Sequence, residues 1–353
     1  MIITRYIGKT VINTICIVIL ILSGLVMFSE LTSQFSSIGT GDFGWLQVMQ
    51  YVLLLLPQDV YLLFPMAGLL GSLIGLGILS GNSELTVMRA SGMSTREISN
   101  AVLKAALLLT VIMVVIGEVL APMAQHKAML NKSSALSGGQ AIVTNEGLWL
   151  HNQNNFIHVD VILPDGHLKA ILRYEFDKDS NLRTASYAQD GIYDHGIWTF
   201  KDVIVTKFVG NHTTREKYAE QQWNLAIRPN FLGFSSTDPE QKSLLELSKY
   251  IKYLQTSSLN SDRYKFIFWQ RFFQPLAILV MIFLSVPFVL GFLRSKPMGI
   301  RIVVGTLVGF GFYLINQFVG PLTVVYRLPA IAAALLPILI FAGIGWIMVR
   351  KLA

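Results

Sequence analysis

The chain has 353 residues, 53% of them hydrophobic and only 14% charged, with a mean hydropathy of +0.54 and a formal net charge of +7. Typical soluble proteins are about 25% charged, so this composition excludes an ordinary soluble globule. A single cysteine, Cys16, excludes an intramolecular disulfide framework, and any exported domain must fold on its own apolar core.

Six segments, 11–28, 60–79, 102–121, 272–293, 302–319 and 331–349, carry almost no charge. Each is about 18–22 residues long, enough to cross a hydrocarbon core of roughly 30 Å at 1.5 Å per residue. Any one of them would pass for a buried core helix; six in one chain do not. The first begins like a signal peptide, with Arg5 and Lys9 before an apolar run, but Phe28-Ser29-Glu30 offers no small-residue cleavage site. It reads as a retained span. The predicted layout is three spans in 1–121, a soluble insert in 122–264 and three spans in 265–353.

The basic residues Arg5, Lys9, Arg89, Arg96, Lys104, Arg294, Lys296, Arg301, Arg350 and Lys351 gather at one set of alternating span ends. The opposite short loops, 29–50 and 320–329, carry only Arg327. This asymmetry predicts both termini in the cytoplasm and the insert on the far side of the membrane. The charges of the insert nearly cancel, so the net positive charge does not mark a nucleic-acid surface.

Between the second and third spans, residues 82–93 predict a short amphipathic helix. Asn82 or Ser83 stands where a cap would, Glu84 falls in the first turn, and Gly92 ends it. Leu85, Met88 and Val87 form one face. An ordinary interfacial helix and a docking helix for a cytoplasmic partner both fit this pattern.

The insert opens with a helical continuation of the third span over 125–134. Strands are expected at 147–150, 156–163, 168–176, 182–189, 191–193 and 198–208. Ile157, Val159, Val161 and Leu163 alternate with Phe156, His158, Asp160 and Ile162, which predicts a buried first set and a largely solvated second. Turn formers separate the strands at Pro164-Asp165-Gly166, Lys178-Asp179-Ser180-Asn181 and Asp194-His195-Gly196. A sandwich or an open β-roll is expected. Helical periodicity returns over 243–255, with Leu244, Leu247, Ile251 and Leu254 on one stripe.

Catalytic signals are absent. Gly8-Lys9-Thr10 imitates the end of a phosphate-binding loop, but position 3 is Ile and no strand precedes it. The six histidines have no metal-ligand spacing, and no nucleophile elbow occurs. The chain is predicted to be a non-catalytic subunit that binds no cofactor or metal. Polar residues at the outer ends of spans, Asp59, Glu118, Asn316 and Gln317, are costly there, and a wet surface position or a function would each account for them. Glycines at 68, 71, 75 and 77 and at 305, 309 and 311 permit close helix approach, whether static or sliding.

Five segments carry a family resemblance. They are Arg5-Tyr6-Ile7-Gly8-Lys9-Thr10, Phe64-Pro65-Met66-Ala67-Gly68-Leu69-Leu70-Gly71, Ser83-Glu84-Leu85-Thr86-Val87-Met88-Arg89-Ala90-Ser91-Gly92, Pro297-Met298-Gly299-Ile300-Arg301 and Gly320-Pro321-Leu322-Thr323-Val324-Val325-Tyr326. In this order, around an insert, the chain resembles the LptF/LptG family of lipopolysaccharide export permeases, and its last two segments are similar to the LptG branch. The resemblance implies an α+β membrane protein, with six transmembrane helices (3+3) and an inserted periplasmic β-jellyroll-like domain, in the inner membrane of a Gram-negative bacterium. It implies a sister permease LptF, a dimer of the ATPase LptB that uses the ATP, and a periplasmic path through LptC and LptA. Lipopolysaccharide would be the substrate. The helix at 83–92 would dock the ATPase through Glu84, Leu85, Met88, Arg89, Ala90 and Ser91. The first and fifth spans would line a lipid cavity, with Met27, Phe28, Phe310, Phe312, Leu314, Ile315 and Phe318 as candidates. Members often carry lysines at the outer end of the first span; this chain has Glu30 there and no Lys or Arg from 10 to 88. A membrane-anchored periplasmic sensor or scaffold signalling through residues 81–96 is the alternative reading.

Overall fold

The computed structural model describes residues 2–136, 142–152, 155–162, 167–177, 181–194, 197–209, 212–223, 242–256, 260–293, 296–326 and 328–351. The expected turns at 164–166, 178–180 and 195–196, Ser137-Gly138-Gly139, Leu163, Arg294 and Arg327 lie outside the described residues.

Among the described residues, six helices are long and apolar enough to cross a membrane. Helix α1 runs Ile2–Ser33 and α2 runs Trp45–Gly81. The short α3, Glu84–Ala90, leads into α4, Thr95–Val115, which passes through a π-helical turn, Ile116–Leu120, into α5, Ala121–Leu136. After the insert come α6, Leu244–Thr256, and α7, Asp262–Pro287, with a second π turn at Phe288–Phe292. Helices α8, Met298–Tyr326, and α9, Ala330–Arg350, complete the bundle. We call the end of the bundle that carries the 34–44 loop and the insert the insert side, and the opposite end the α3 side.

The spans are longer than their uncharged cores. At 1.5 Å per residue α2 reaches about 55 Å, well past a bilayer core. It begins fifteen residues before the expected span because Pro57 and Pro65 are carried inside it. In water such prolines break helices. In lipid an unpaired backbone is costlier still, so the helix continues and its neighbours absorb the defect.

Helix α2 is the axis of the bundle. In its most apolar stretch it is 72% buried, against 28% for α1 and 22% for α8. Helix α1 seats against Gly71, where a Cβ would fall on the backbone of Ile15, so only glycine allows this approach. Helix α8 brings Gly305 against Leu70 and Leu73 on another face of α2. Gly68 of α2 abuts Ile282 of α7, while Phe312 of α8 meets Phe341 of α9 edge to face with centroids 5.3 Å apart. One large apolar cluster joins α1, α2, α4, α7, α8 and α9.

The described residues of the insert form one six-stranded antiparallel sheet in the order β1-β2-β3-β4-β5-β6. Its strands are Ile142–Asn152, Asn155–Ile162, Leu168–Phe176, Leu182–Asp194, Ile197–Val209 and His212–Trp223. Each pairs only with its sequence neighbour, a meander. Ile157 and Val159 are buried as the alternation requires, with Ile171, Ala188, Val203 and the stacked rings of Trp198, Phe200 and Trp223. Phe156 and Asp160 are exposed. Two differences from expectation have local causes. The strands expected at 182–189 and 191–193 are one, because Gly191 lies opposite Phe200, whose ring fills the space a side chain would need. Strand β6 was not anticipated. It is exposed along nearly its whole length and charged, so it carries no apolar alternation, and pairing with β5 alone defines it. Its charges, including Glu216 bonded to Lys207 at 2.8 Å, suit an edge that must not recruit further strands.

Helix α6 ties the insert to the bundle. Leu247 packs with Phe266, Ile267, Val319, Ala333 and Ala334 of α7, α8 and α9, while Tyr253 packs against the core of the sheet. The stripe actually buried is Leu247, Tyr250 and Leu254.

Replacing Gly71 by Val should overpack the α1–α2 contact. Overpacked cores lose about 1–3 kcal/mol, so the detergent-solubilised protein should melt several degrees lower, whereas Gly24→Val, where nothing stands near, should melt as wild type.

Candidate functional site

Three features on the bundle bear on function: the short helix α3, the open face between α1 and α8, and a buried ion pair on the insert side.

Helix α3 ends as its sequence dictates. Gly92 takes φ +96°, its N–H donates to the Arg89 carbonyl at 3.1 Å, and the Met93 N–H donates to the Met88 carbonyl at 3.1 Å. This paired arrangement satisfies the last carbonyls of the helix and needs a left-handed residue after it. The start differs from expectation: Ser83 sits at φ 62°, and neither it nor Asn82 caps the helix through its side chain. Asn82 Nδ2 instead donates to the Glu84 carboxylate at 3.2 Å, and the Tyr6 phenol of α1 stands near it. Glu84 is thereby held half-exposed between two helices.

The six residues assigned to docking divide between two faces. Leu85 is 3% exposed and packs into the main cluster, with Met88 half-buried beside it. Leu85 therefore anchors α3 to the bundle and offers no surface to a partner; the burial follows from the same apolar face that defined the helix. Arg89, Ala90 and Ser91 are exposed, as are Thr86 and Val87. Next to them is a cleft of about 290 Å³ lined by Ser80, Leu85, Thr86, Arg89, Val289 and Leu290, so α3 and the second π turn form one surface.

Helices α1 and α8 pack on α2 at Gly71 and at Leu70 and Leu73, and half-buried Ile19, Leu22, Met66 and Ile74 pack around Val18, Ala67 and Leu70; we call the apolar face formed by α1 and α8 the trough. Phe28 of α1 is exposed, as are Phe310, Leu314 and Phe318 of α8, at intervals of four residues. Met27 and Ile315 are half-buried, Met27 against the Phe43–Val48–Val52 cluster. Phe312 is not part of this surface: it is 3% exposed, turned to the opposite side of α8 and against Phe341.

On the insert side, Arg271 of α7 and Glu118 of the first π turn form an ion pair, Nε to Oε1 2.6 Å, both largely out of solvent. Arg271 also donates to the Gly117 carbonyl and stands over the Tyr61 ring at 5.4 Å. The other Glu118 oxygen accepts the Leu244 backbone N–H at 2.8 Å, the first turn of α6. A carboxylate at that position satisfies an orphan donor and is favoured by the helix dipole. Gly117 packs directly on the Tyr61 ring, which leaves no room for a side chain. One ion pair thus joins α2, the α4–α5 turn, α6 and α7. The sequence marked Glu118 as an expensive residue at membrane depth; its partner, 153 residues away, was not legible.

Lys132 of α5 was also missed. It reaches the outer end of α1, donating to Gln34 Oε1 at 2.7 Å and standing over the Tyr51 ring at 4.7 Å. It brings a positive charge to the end of α1, where the sequence between 10 and 88 has none. Among the described residues no cluster of three or more His, Cys, Asp or Glu can hold a metal.

A bundle of six spans with an inserted β domain, two exposed apolar helices and a half-anchored surface helix defines a polytopic permease subunit. Comparison with known proteins agrees: the family model "Lipopolysaccharide export system permease LptF/LptG" matches residues 5–351, and the chain belongs to that family. It is 36% identical over 351 residues to the "Lipopolysaccharide export system permease protein LptG" of Escherichia coli (strain K12), covering 98% of both chains. It is 35% identical over 350 residues to the protein of the same name from Haemophilus influenzae (strain ATCC 51907 / DSM 11121 / KW20 / Rd), again over 98% of both.

Arg271→Met should leave Glu118 buried beside no cation, a situation that costs about 3–5 kcal/mol. The protein should melt clearly lower, and Arg271→Met combined with Glu118→Gln should recover part of the loss. A thermal-unfolding series on the purified chain measures both.

Proposed function

We propose that this chain is one of the two permease subunits of an ATP-driven transporter that extracts lipopolysaccharide from the inner membrane and passes it to a periplasmic bridge. The observation that carries the reading is the α1–α8 face. A membrane protein gains nothing from an open apolar trough between two poorly buried helices unless a second subunit or a lipid fills it. A sister permease of the LptF kind would close the trough into a cavity, and acyl chains would lie against Phe28, Phe310, Leu314 and Phe318. Lys132 supplies the positive charge that α1 lacks for the phosphates of such a lipid.

The chain has no nucleotide motif, so its driving force enters from outside. Helix α3 is the port. Leu85 and Met88 fix it to the bundle, and Glu84, Arg89, Ala90 and Ser91, with Val87, present its outer face to an ATPase dimer of the LptB kind. Tyr6 of α1, a wall of the trough, stands beside Glu84. A tilt of α3 therefore bears on the lipid surface through the Leu85 anchor and the neighbouring Tyr6. Extraction demands such coupling, because a cavity that only binds lipid tightly would trap it. In this reading the termini and α3 are cytoplasmic and the β insert is periplasmic, where LptC and LptA continue the path.

Depleting the chain in the living cell and following newly made lipopolysaccharide tests the proposal: arrival at the cell surface should stop, and undiminished arrival would refute it. Glu84→Ala should leave the chain inserted but reduce co-purification of the ATPase, or its lipid-stimulated turnover, by about tenfold, the equivalent of one charge-assisted hydrogen bond. Tyr6→Phe should show the same direction of change with the ATPase still bound.

A further inference from the structure

On the insert side a pocket of about 80 Å³ opens between α2, α7 and α8. Its lining is unusual for a membrane span: Gln270 and Gln274 from α7, Asn316 and Gln317 from α8, and the phenols Tyr61 and Tyr313, with Arg271 at the back. Part of this polarity is already used. Gln274 donates to the Tyr61 carbonyl at 3.3 Å, and Arg271 is bound to Glu118 and Gly117. Among the described residues, the carboxamides of Gln270, Asn316 and Gln317 make no hydrogen bond within the chain. Each offers two donors and an acceptor. Leaving them against hydrocarbon costs free energy that packing alone does not return.

Helix α8 arranges these groups beside the apolar stripe. At 100° per residue, Phe310, Leu314 and Phe318 span one sector, and Tyr313, Asn316 and Gln317 the adjoining one. Asn316 stands eighteen residues into α8 from its α3-side end, about 27 Å along the axis, so the pocket is close to the insert-side interface. A ligand whose apolar chains follow the first stripe would present its headgroup to the second. The volume admits about two or three water-sized groups, too little for a sugar ring but enough for a projecting hydroxyl or amide.

We propose that this pocket is a hydrogen-bonding subsite for a hydroxyl or amide group of the saccharide headgroup of the transported glycolipid, with Asn316 and Gln317 as its specificity-determining residues. The inference rests on the reading of the chain as a lipopolysaccharide permease. Carboxamides both donate and accept, as sugar hydroxyls and amides do, whereas a bare phosphate only accepts. The pocket therefore favours a glycolipid over a glycerophospholipid whose headgroup carries no hydrogen-bond donor, such as phosphatidylcholine.

The test uses the complete transporter, with its partner chains, in lipid nanodiscs. Binding of lipopolysaccharide and of dioleoyl phosphatidylcholine is compared for wild type and for a variant carrying Asn316→Leu and Gln317→Leu. Lipopolysaccharide affinity should fall about tenfold, as expected for two net hydrogen bonds, with phosphatidylcholine affinity changed by less than about twofold. An equal fall for both lipids, or no fall for lipopolysaccharide, would overturn the proposal. Should the double variant fail to assemble, a photoreactive side chain at position 317 of the otherwise unaltered chain decides. Adducts on the saccharide support the subsite, and adducts confined to acyl chains contradict it. A wild-type complex that binds no lipopolysaccharide would instead overturn the permease reading on which the proposal depends.

Discussion

The close packing of α2 is the constraint on which the rest of the structure depends. Lipid provides no hydrophobic driving force between helices, so a bundle must be held by contact and by interhelical polar bonds. Helix α2 supplies the contact. Gly71 admits the α1 backbone, Gly68 admits Ile282 of α7, and Leu70 and Leu73 receive Gly305 of α8. Helices α1 and α8 each find their place on α2, α1 at Gly71 and α8 at Leu70 and Leu73. The trough is thus a consequence of how the central helix is packed.

The polar bonds are placed at the two ends. On the insert side, Glu118 holds Arg271 with one oxygen and the start of α6 with the other. On the α3 side, Arg301 is buried and donates to the Gly77 carbonyl at 3.0 Å and the Lys296 carbonyl at 3.1 Å, tying the start of α8 to the end of α2. Arg271, Glu118 and Arg301 are therefore joints between helices, each at an interface where a few kilocalories decide a geometry. Helix α6 extends the first joint outward, since its Leu247 belongs to the bundle and its Tyr253 to the sheet. The first π turn is thereby connected, through α6, to the core of the sheet.

Much of this was legible in the residues, for definite reasons. Six uncharged stretches have no alternative to spanning helices, and Gly92 after a short amphipathic run is a helix end that backbone geometry requires. Alternation at Ile157 and Val159 revealed the buried face of the sheet. What was not legible depends on partners far away in sequence. Strand β6 is polar on both faces and exists through its pairing with β5. Phe312 shares its composition with Phe310 and Phe318, and only the position of α9 separates a packed ring from two exposed ones. Leu85 belongs to the apolar face that made α3 recognisable, and that face proved to be the anchor. Lys132 and Arg271 are ordinary basic residues until the fold brings them to Gln34 and to Glu118.

The central claim is that the α1–α8 trough is the surface that carries the transported lipid. Photo-crosslinking from positions 28 and 318 in the assembled complex within growing cells addresses it most directly, with position 339 on the exposed surface of α9 as the reference. Lipopolysaccharide adducts at 28 and 318, falling when the partner ATPase is active, with only phospholipid adducts at 339, are the predicted result. Equal labelling at all three positions, or lipopolysaccharide adducts at 339 alone, would contradict it.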